Sequence, residues 1–508
     1  MSYTAAVDHL YARGLELAPD SSGTRRKFDL EHMRILARAL GNPQQSFPSV
    51  LIAGTNGKGS TSATLASILT AAGYRTALYT SPHLSRINER IQIDGQPISD
   101  DDFARLYFQA DSIAERLVSS GDLPHHPSFF EILTALAFLY FAGETADPKS
   151  APGTAVDIAI LEVGLGGRLD ATNIVDPLLS ILTDISLDHQ DYLGNTIAEI
   201  TREKAGILRH HGTLITLPQH PEANQAIGEA AASLDLHAIN AAHYIPTAEK
   251  LLHPRDRHSE RSEESQHFAG SAANAESTAT LLRNRYTLTL DGQPLHVDSP
   301  LLGQHQQRNL ALAIAAAEEL RNPTGYNKAN SNRESYKISN AQIEAGIRQT
   351  RWPGRLEFVP LADSAPILLD VAHNPAGAWT LRAVLAQLPE EQPRTLLFSC
   401  LRDKDLREMS QILLPLFDSS ADRPLDHILF APIHNPRAAS LEELAEAARA
   451  LEIPAEILPS LADALARAKA LTPLNGLIVA TGSVYLIGEL RTLIADQIDG
   501  AFPAPPHP

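Results

Sequence analysis

Short apolar runs alternate with amphipathic stretches along most of the chain. Residues 50–53 are four consecutive apolar positions, too few for a helix and typical of a strand buried on both faces of a parallel sheet. After a glycine-rich turn, residues 61–72 place Leu65, Ile68 and Leu69 at helical spacing. Gly73 stops that helix, and residues 76–80 return to a strand pattern. Strand, turn, helix and strand predict a βαβ unit with a right-handed crossover. The same patterns predict helices over 28–40, 101–118, 130–141 and 308–320, and strands over 157–163 and 178–183.

A second alternation follows RWPGRLE, residues 351–357, where Pro353 and Gly354 interrupt the pattern. Strands are predicted over 367–371, 395–400, 427–431 and 476–480, with helices over 380–387, 440–450 and 461–470 between them. The fold class is therefore α/β: a phosphate-loop ATPase domain with a parallel sheet over 1–352, then a smaller Rossmann-like, doubly wound domain over 353–508. In such sheets ligands sit beyond the carboxyl ends of the strands, so HNP, RDKD and TGSVYLIGE should face one crevice. Residues 253–285 and 322–340 are polar and poor in large apolar side chains, and are predicted to be mobile surface insertions.

Composition narrows the functional classes. The chain has 508 residues, 44% of them apolar, and no run approaches the roughly 18 residues that cross a bilayer. Its net charge of −18 argues against nucleic acid as a partner. A single cysteine, Cys400, excludes an internal disulfide and a cysteine-rich zinc site. No secretory signal is visible at the start, so a cytoplasmic monomer without membrane attachment is expected.

The chemistry begins in VLIAGTNGKGS, residues 50–60. Gly54, Gly57 and Gly59 allow a sharp turn whose N–H groups converge on phosphate oxygens as a helix starts. Lys58 supplies a point charge for the β and γ phosphates, and Ser60 a hydroxyl within reach of Mg²⁺. The spacing is shorter than GxxxxGK[ST], and Gly59 separates Lys58 from Ser60. Glu162 ends an apolar strand, which suits either an oxygen ligand for Mg²⁺ or a solvated strand end. His189 follows another strand, and taken alone an isolated histidine among 20 is more often a surface or core residue. Asn309, Arg355 and Asp370, taken singly, read equally as a helix cap, a surface charge and a strand-end turn.

The motif GTNGKGS resembles the ATP loop of the Mur ligase superfamily, in particular its folylpolyglutamate synthase and dihydrofolate synthase branch. At least seven motifs follow the family's order between about residues 28 and 489. The resemblance implies that Asn56, Gly57, Lys58, Gly59, Ser60, Asn309, Arg355 and Asp370 bind ATP. It implies a first Mg²⁺ at Ser60, Ser81 and Glu162, and a second at His189 and a carbamylated Lys204. In TSPHLSRINERI it places folate against Pro82 and His83, in SFFE against Ser128, Phe129, Phe130 and Glu131, and in LEVGLGGRLDATN against Leu169, Asp170 and Ala171. His373 and Ser483 would stand near incoming L-glutamate, with Lys404 on the same edge; Lys58, Lys204 and His373 would serve catalysis. The implied activity is ATP-dependent addition of L-glutamate to dihydropteroate or a reduced folate through an acyl phosphate. A Mur ligase acting on a UDP-sugar peptide, and a nucleotide switch that makes no product, are the alternatives. A Mur ligase of that kind normally carries a separate UDP-sugar domain ahead of the loop, whereas about 50 residues precede it here, and SPHL with NERI favours the folate branch.

Overall fold

A computed structural model describes residues 2–13, 30–143, 155–247, 282–324, 335–361, 363–420 and 423–495. In chain order, the strands of the first sheet are β1 (Ser49–Ala53), β2 (Thr76–Tyr79), β3 (Ile91–Ile93), β4 (Gln96–Pro97), β5 (Ile158–Glu162), β6 (Leu179–Leu182), β7 (Thr213–Thr216) and β8 (His237–Asn240). Their spatial order is β4-β3-β2-β5-β1-β6-β7-β8, parallel except for β3 and β4. Every residue of β1, β2, β5 and β6 is buried, because helices cover both faces. Leu51, Ala53 and Leu161 pack on one side with Phe103 and Phe138, while Val50, Ile52 and Ile160 pack on the other with Leu65 and Ile314. Two-sided burial is why these strands read as unbroken apolar runs.

The helix after β1 spans Lys58–Ala71 and starts three residues earlier than its apolar spacing predicts. Gly57, at φ +88°, makes the turn inside the loop, so Gly59 and Ser60 already belong to the first helical turn. Their amides therefore point beyond the carboxyl end of β1. The helices Gln306–Arg321 and Asn340–Gln349 both pack against it. The second does so through Gly346, where a β-carbon would collide with the Ile68 backbone.

Two expectations require correction. Residues 282–285 do not belong to a mobile insertion: β9 (Arg283–Leu290) and β10 (Gln293–Leu302) form an antiparallel hairpin turned at Asp291 and Gly292. Its inner residues Tyr286, Leu288, Leu295 and Val297 are buried, which fixes it. Residues 335–340 are likewise ordered, with Ile338 buried, Tyr336 donating to the Asp157 carbonyl and the Lys337 amide donating to the Tyr74 hydroxyl. Residues 253–281 and 325–334 of those stretches lie outside the described residues, as do residues 28 and 29 of the predicted helix that is seen at Leu30–Ala39.

The second sheet comprises β11 (Glu357–Val359), β12 (Ile367–Leu369), β13 (Arg394–Phe398), β14 (His427–Phe430), β15 (Glu456–Ile457) and β16 (Leu477–Thr481). Its order is β11-β12-β16-β13-β14-β15, with only β11 antiparallel. The chain passes from one sheet's elements to the other's across residues 350–356. Leu84 packs into the core of the second half, and Ser85 Oγ donates to the Gly488 carbonyl at 3.2 Å. Among the described residues no helix is long and apolar enough to cross a membrane.

Gly346→Ala is predicted to destabilise the protein despite alanine's better helix propensity of about 1 kcal/mol. Overpacking against the Ile68 backbone costs about 1–3 kcal/mol, and urea unfolding should show a net loss; a gain in stability would contradict this packing.

Candidate active site between the two sheets

The carboxyl ends of β1, β5 and β6 face those of β12, β13 and β16 across a cavity of about 270 Å³. Both sheets thus present their strand-end loops to the same space.

The phosphate loop is held from β6. The amides of Thr55 and Asn56 both donate to the Asp184 carbonyl, at 2.8 and 3.1 Å, and Asn56 Nδ2 donates to Ser186 Oγ at 3.1 Å. Asp184 is itself gripped by Arg308 along one guanidinium edge, Nε and Nη2 both donating to the carboxylate. The loop accepts only glycine at three points: a β-carbon at Gly54 would strike the Thr183 hydroxyl, one at Gly57 the Asn309 amide, and one at Gly59 the Trp352 ring. Lys58 Nζ donates back to the carbonyls of Gly54 and Thr55, each at 3.1 Å, so its charge stands over the loop.

Around the loop stand charges that water scarcely reaches. Glu162, 4% exposed, accepts the Ser81 amide at 3.3 Å; burial pushes its carboxyl up to about 7 against the pull of Lys58. Lys204 Nζ donates to the Gly54 carbonyl at 2.8 Å, and burial, reinforced by Lys58, lowers its amine to about 7. Burial lowers His189 and His373 to about 4, so both imidazoles are neutral near pH 7. His373 Nδ1 lies 2.8 Å from the Val371 carbonyl, which fixes the proton there and leaves Nε2 as an acceptor. Asp370 accepts the amides of Leu356 and Ala372; burial raises its carboxyl and Arg355 opposes the rise.

The structure brings most of the predicted site residues together. Asn56, Gly57, Lys58, Gly59 and Ser60 line the cavity, as do Ser81, Pro82, Glu162, His189 and Lys204. Asn309 closes it from the helix Gln306–Arg321, and Arg355, Asp370, His373 and Ser483 close it from the second half.

Of the residues matched to folate contacts, Pro82 lines this cavity, whereas His83, Ser128 to Glu131 and Leu169 to Ala171 lie outside the lining. Ser128 caps the helix Phe129–Phe141 and pairs with Glu131 in a reciprocal capping box. Phe129 packs on the Tyr11 ring and under the Arg90 guanidinium, each 5.5 Å away, and Arg90 donates to His83 Nδ1. Phe130 fills the space above Gly164. Both oxygens of Asp170 are taken by Gly164, Leu165 and Thr172, so this carboxylate shapes the GLGGRLD loop between Leu169 and Ala171.

Sequence reasoning singled out neither Asp188, Asn374 and His305 nor Gln306, Thr380 and Arg437, all of which line the cavity. Asp188 and Asn374 meet across the cleft; the signals were the DH doublet and the asparagine of HNP. His305 lines the cavity, and its Nδ1 has no hydrogen-bond partner among the described residues.

No group of three or more His, Cys, Asp or Glu side chains converges as a metal site among the described residues. Glu162 with the hydroxyls of Ser60 and Ser81 nevertheless fits a hard divalent ion: an enclosed carboxylate beside two hydroxyls and a phosphate loop is an oxygen donor set. His189 with the free amine of Lys204 does not, because that amine donates to a carbonyl.

Residues 148–317 match the Mur ligase middle domain, and residues 354–484 the Mur ligase glutamate ligase domain. The chain is 33% identical over 463 residues to the dihydrofolate synthase/folylpolyglutamate synthase of Bacillus subtilis, covering 91% of this chain and 94% of that one. It is 31% identical over 445 residues to the Escherichia coli protein of the same description, covering 88% and 84%. Mycobacterium tuberculosis folylpolyglutamate synthase, solved with ADP and AMPPCP, superposes with a TM-score of 0.74 at 30% identity, covering 97% of this chain and 98% of that one. With this coverage, and with both Mur ligase domains in order around one cavity, the chain belongs to the folylpolyglutamate synthase/dihydrofolate synthase family of Mur ligases.

Proposed function

We propose that this protein is an ATP-dependent carboxylate–amine ligase that adds L-glutamate to dihydropteroate, to the glutamyl tail of reduced folates, or to both. One observation carries the reading: phosphate-loop residues of the first half and strand-end residues of the glutamate-ligase half line a single cavity. We divide the chain into an ATP- and folate-binding domain, 1–352, and a glutamate-binding domain, 353–508. The family's relatives, two of them solved with ADP, support ATP as the nucleotide.

A carboxylate oxygen of the acceptor attacks the γ phosphorus, the bond to the bridging oxygen breaks, and ADP leaves. The glutamate amine then attacks the acyl carbon, loses its proton, and inorganic phosphate departs with the former carboxylate oxygen. Lys58 and the amides at the start of the helix Lys58–Ala71 neutralise charge on the transferred group, while Asn309, Arg355 and Asp370 hold the nucleotide. Glu162, Ser81 and Ser60 would hold Mg²⁺, which when bound would further neutralise the phosphates. His373, neutral with Nε2 open as an acceptor, and Ser483 receive the amino acid. The cluster next to Pro82 takes the folate: His83, Phe129 and Phe130 offer ring faces, Ser128 and Glu131 fix the helix start, and Leu169 to Ala171 form the adjoining loop. We further propose that the protein acts as a monomer in the cytoplasm.

Lys204 is the carbamylated lysine of this reading. Its amine, near 7, is about half uncharged at neutral pH and so available to CO₂, and the carbamate would complete with His189 a second Mg²⁺ site that the free amine cannot make.

Incubation with ATP, Mg²⁺, L-glutamate and either dihydropteroate or tetrahydrofolate should raise the mass of one acceptor or both by a glutamyl residue. Nucleotide turnover with neither product would overturn the reading. Lys58→Ala and Glu162→Ala should each abolish ligation while the thermal transition stays within a few degrees of wild type, about the scatter of a change below 1 kcal/mol; full glutamate-dependent ADP release by either would contradict the assigned roles.

Lys204→Ala should lose activity that a short-chain carboxylate partly restores. Because the neutral amine is the form that attacks CO₂, CO₂-depleted wild type held at one fixed concentration of dissolved CO₂ should regain activity faster at about pH 8 than at about pH 6. An active enzyme whose intact mass shows unmodified Lys204 would remove the carbamate.

A further inference from the structure

Asp188 stands where the halves meet, and its carboxylate is shared between them. Oδ1 receives the Lys404 ammonium at 2.9 Å, and Oδ2 receives Asn374 Nδ2 at 3.1 Å. Asp188 follows β6 in the first sheet, while Asn374 and Lys404 follow β12 and β13 in the second. The Lys404 and Asp188 side chains are only 8% and 12% exposed, so each charge depends on the other for compensation. Burial works against the Asp188 charge, but His189 and Lys404 hold its carboxyl well below the usual range. Asn374 is committed as well. Its Oδ1 accepts the Gly377 amide at 2.8 Å to cap the helix Pro375–Leu385, and its Nδ2 lies 3.5 Å from Asn56 Oδ1 in the phosphate loop. One carboxylate therefore ties a lysine and a helix start of the second half to the loop of the first.

Resting on the proposed ligase reading, we infer that Asp188 is a positioning residue for the amino-acid substrate. It holds the glutamate-ligase half against the phosphate loop and sets where the Lys404 ammonium stands in the cavity wall. Lys404, Asn374, His373 and Ser483 all belong to that half, whereas the nucleotide is held chiefly from the first. Loss of the Asp188 charge thus loosens the wall that receives glutamate most, while the phosphate loop, Asn309 and the folate cluster, all in the first half, keep their places and only Arg355 and Asp370 of the nucleotide contacts move with the second half. A side chain that merely added stability would shift the unfolding transition and no single KM.

The test uses the full chain as D188N, K404M and the double variant, with steady-state kinetics in all three substrates and small-angle scattering without ligands. D188N should raise the KM for L-glutamate by about tenfold or more, as expected for truncating one partner of a buried charge pair, with the KM values for ATP and the folate acceptor within about threefold. Its radius of gyration should increase. The double variant should be no worse than K404M, since both remove one interaction. If D188N does not fold, the uncharged double variant compared with K404M carries the same test. A glutamate KM within about threefold of wild type, a parallel rise in all three KM values, or losses that multiply in the double variant would each overturn the inference. Wild type that shows no glutamate-dependent ADP release would remove the ligase reading instead. Scattering alone would then decide the clasp, and equal radii for wild type and D188N would refute it.

Discussion

The structure depends on keeping charge in a place that water barely reaches. Two mainly parallel sheets aim their carboxyl ends at each other, and the strand ends, the loops that leave them and the helices that follow carry Lys58, Glu162, Asp188, Lys204, Asp370 and Lys404 into one cavity. In a low-dielectric crevice each charge acts strongly on its neighbours, and each is costly unless something answers it. Some are answered within the protein, as Lys404 answers Asp188 and Arg355 faces Asp370. Glu162 and Lys204 are answered poorly, and both are pushed toward their neutral forms near 7. Those two residues flank the phosphate loop, where triphosphate and its cations supply what is lacking.

The sheets themselves exist because both faces are covered. Val50, Leu51, Ile52 and Ala53 are all buried, as are their neighbours in β5 and β6, and removal of any covering helix would expose half of each run. The helix Lys58–Ala71 is clamped between two others, one of them at the bare backbone of Gly346. Packing far from the chemistry thereby fixes where the loop amides point.

How much of this was legible follows from the same physics. Strands buried on both faces announce themselves as apolar runs, so the elements of both sheets that carry the site were readable within a residue or two. The start of the helix at Lys58 was not, because Gly59 and Ser60 carry no apolar signal and the turn lies in the backbone angle of Gly57. The hairpin at 283–302 was hidden by the polar stretch before it, although Asp291 and Gly292 carry an ordinary hairpin-turn signature. At the site, residues with local motifs around them were found, and residues whose meaning lies across the cleft were not. Asp188 and Asn374 each adjoin a histidine of a recognised motif, but their pairing belongs to no local pattern, and only folding brings them within 3.1 Å. Likewise, SFFE reads as a substrate motif, yet Ser128 and Glu131 are engaged in capping a helix.

The central claim is that the cavity activates a carboxylate by phosphoryl transfer and lets an amine displace the phosphate. The most direct measurement is the fate of oxygen from an acceptor whose carboxylate carries oxygen-18. The account predicts that one labelled oxygen per turnover appears in inorganic phosphate and one remains in the new amide. Unlabelled phosphate released in step with the ligated product would contradict it.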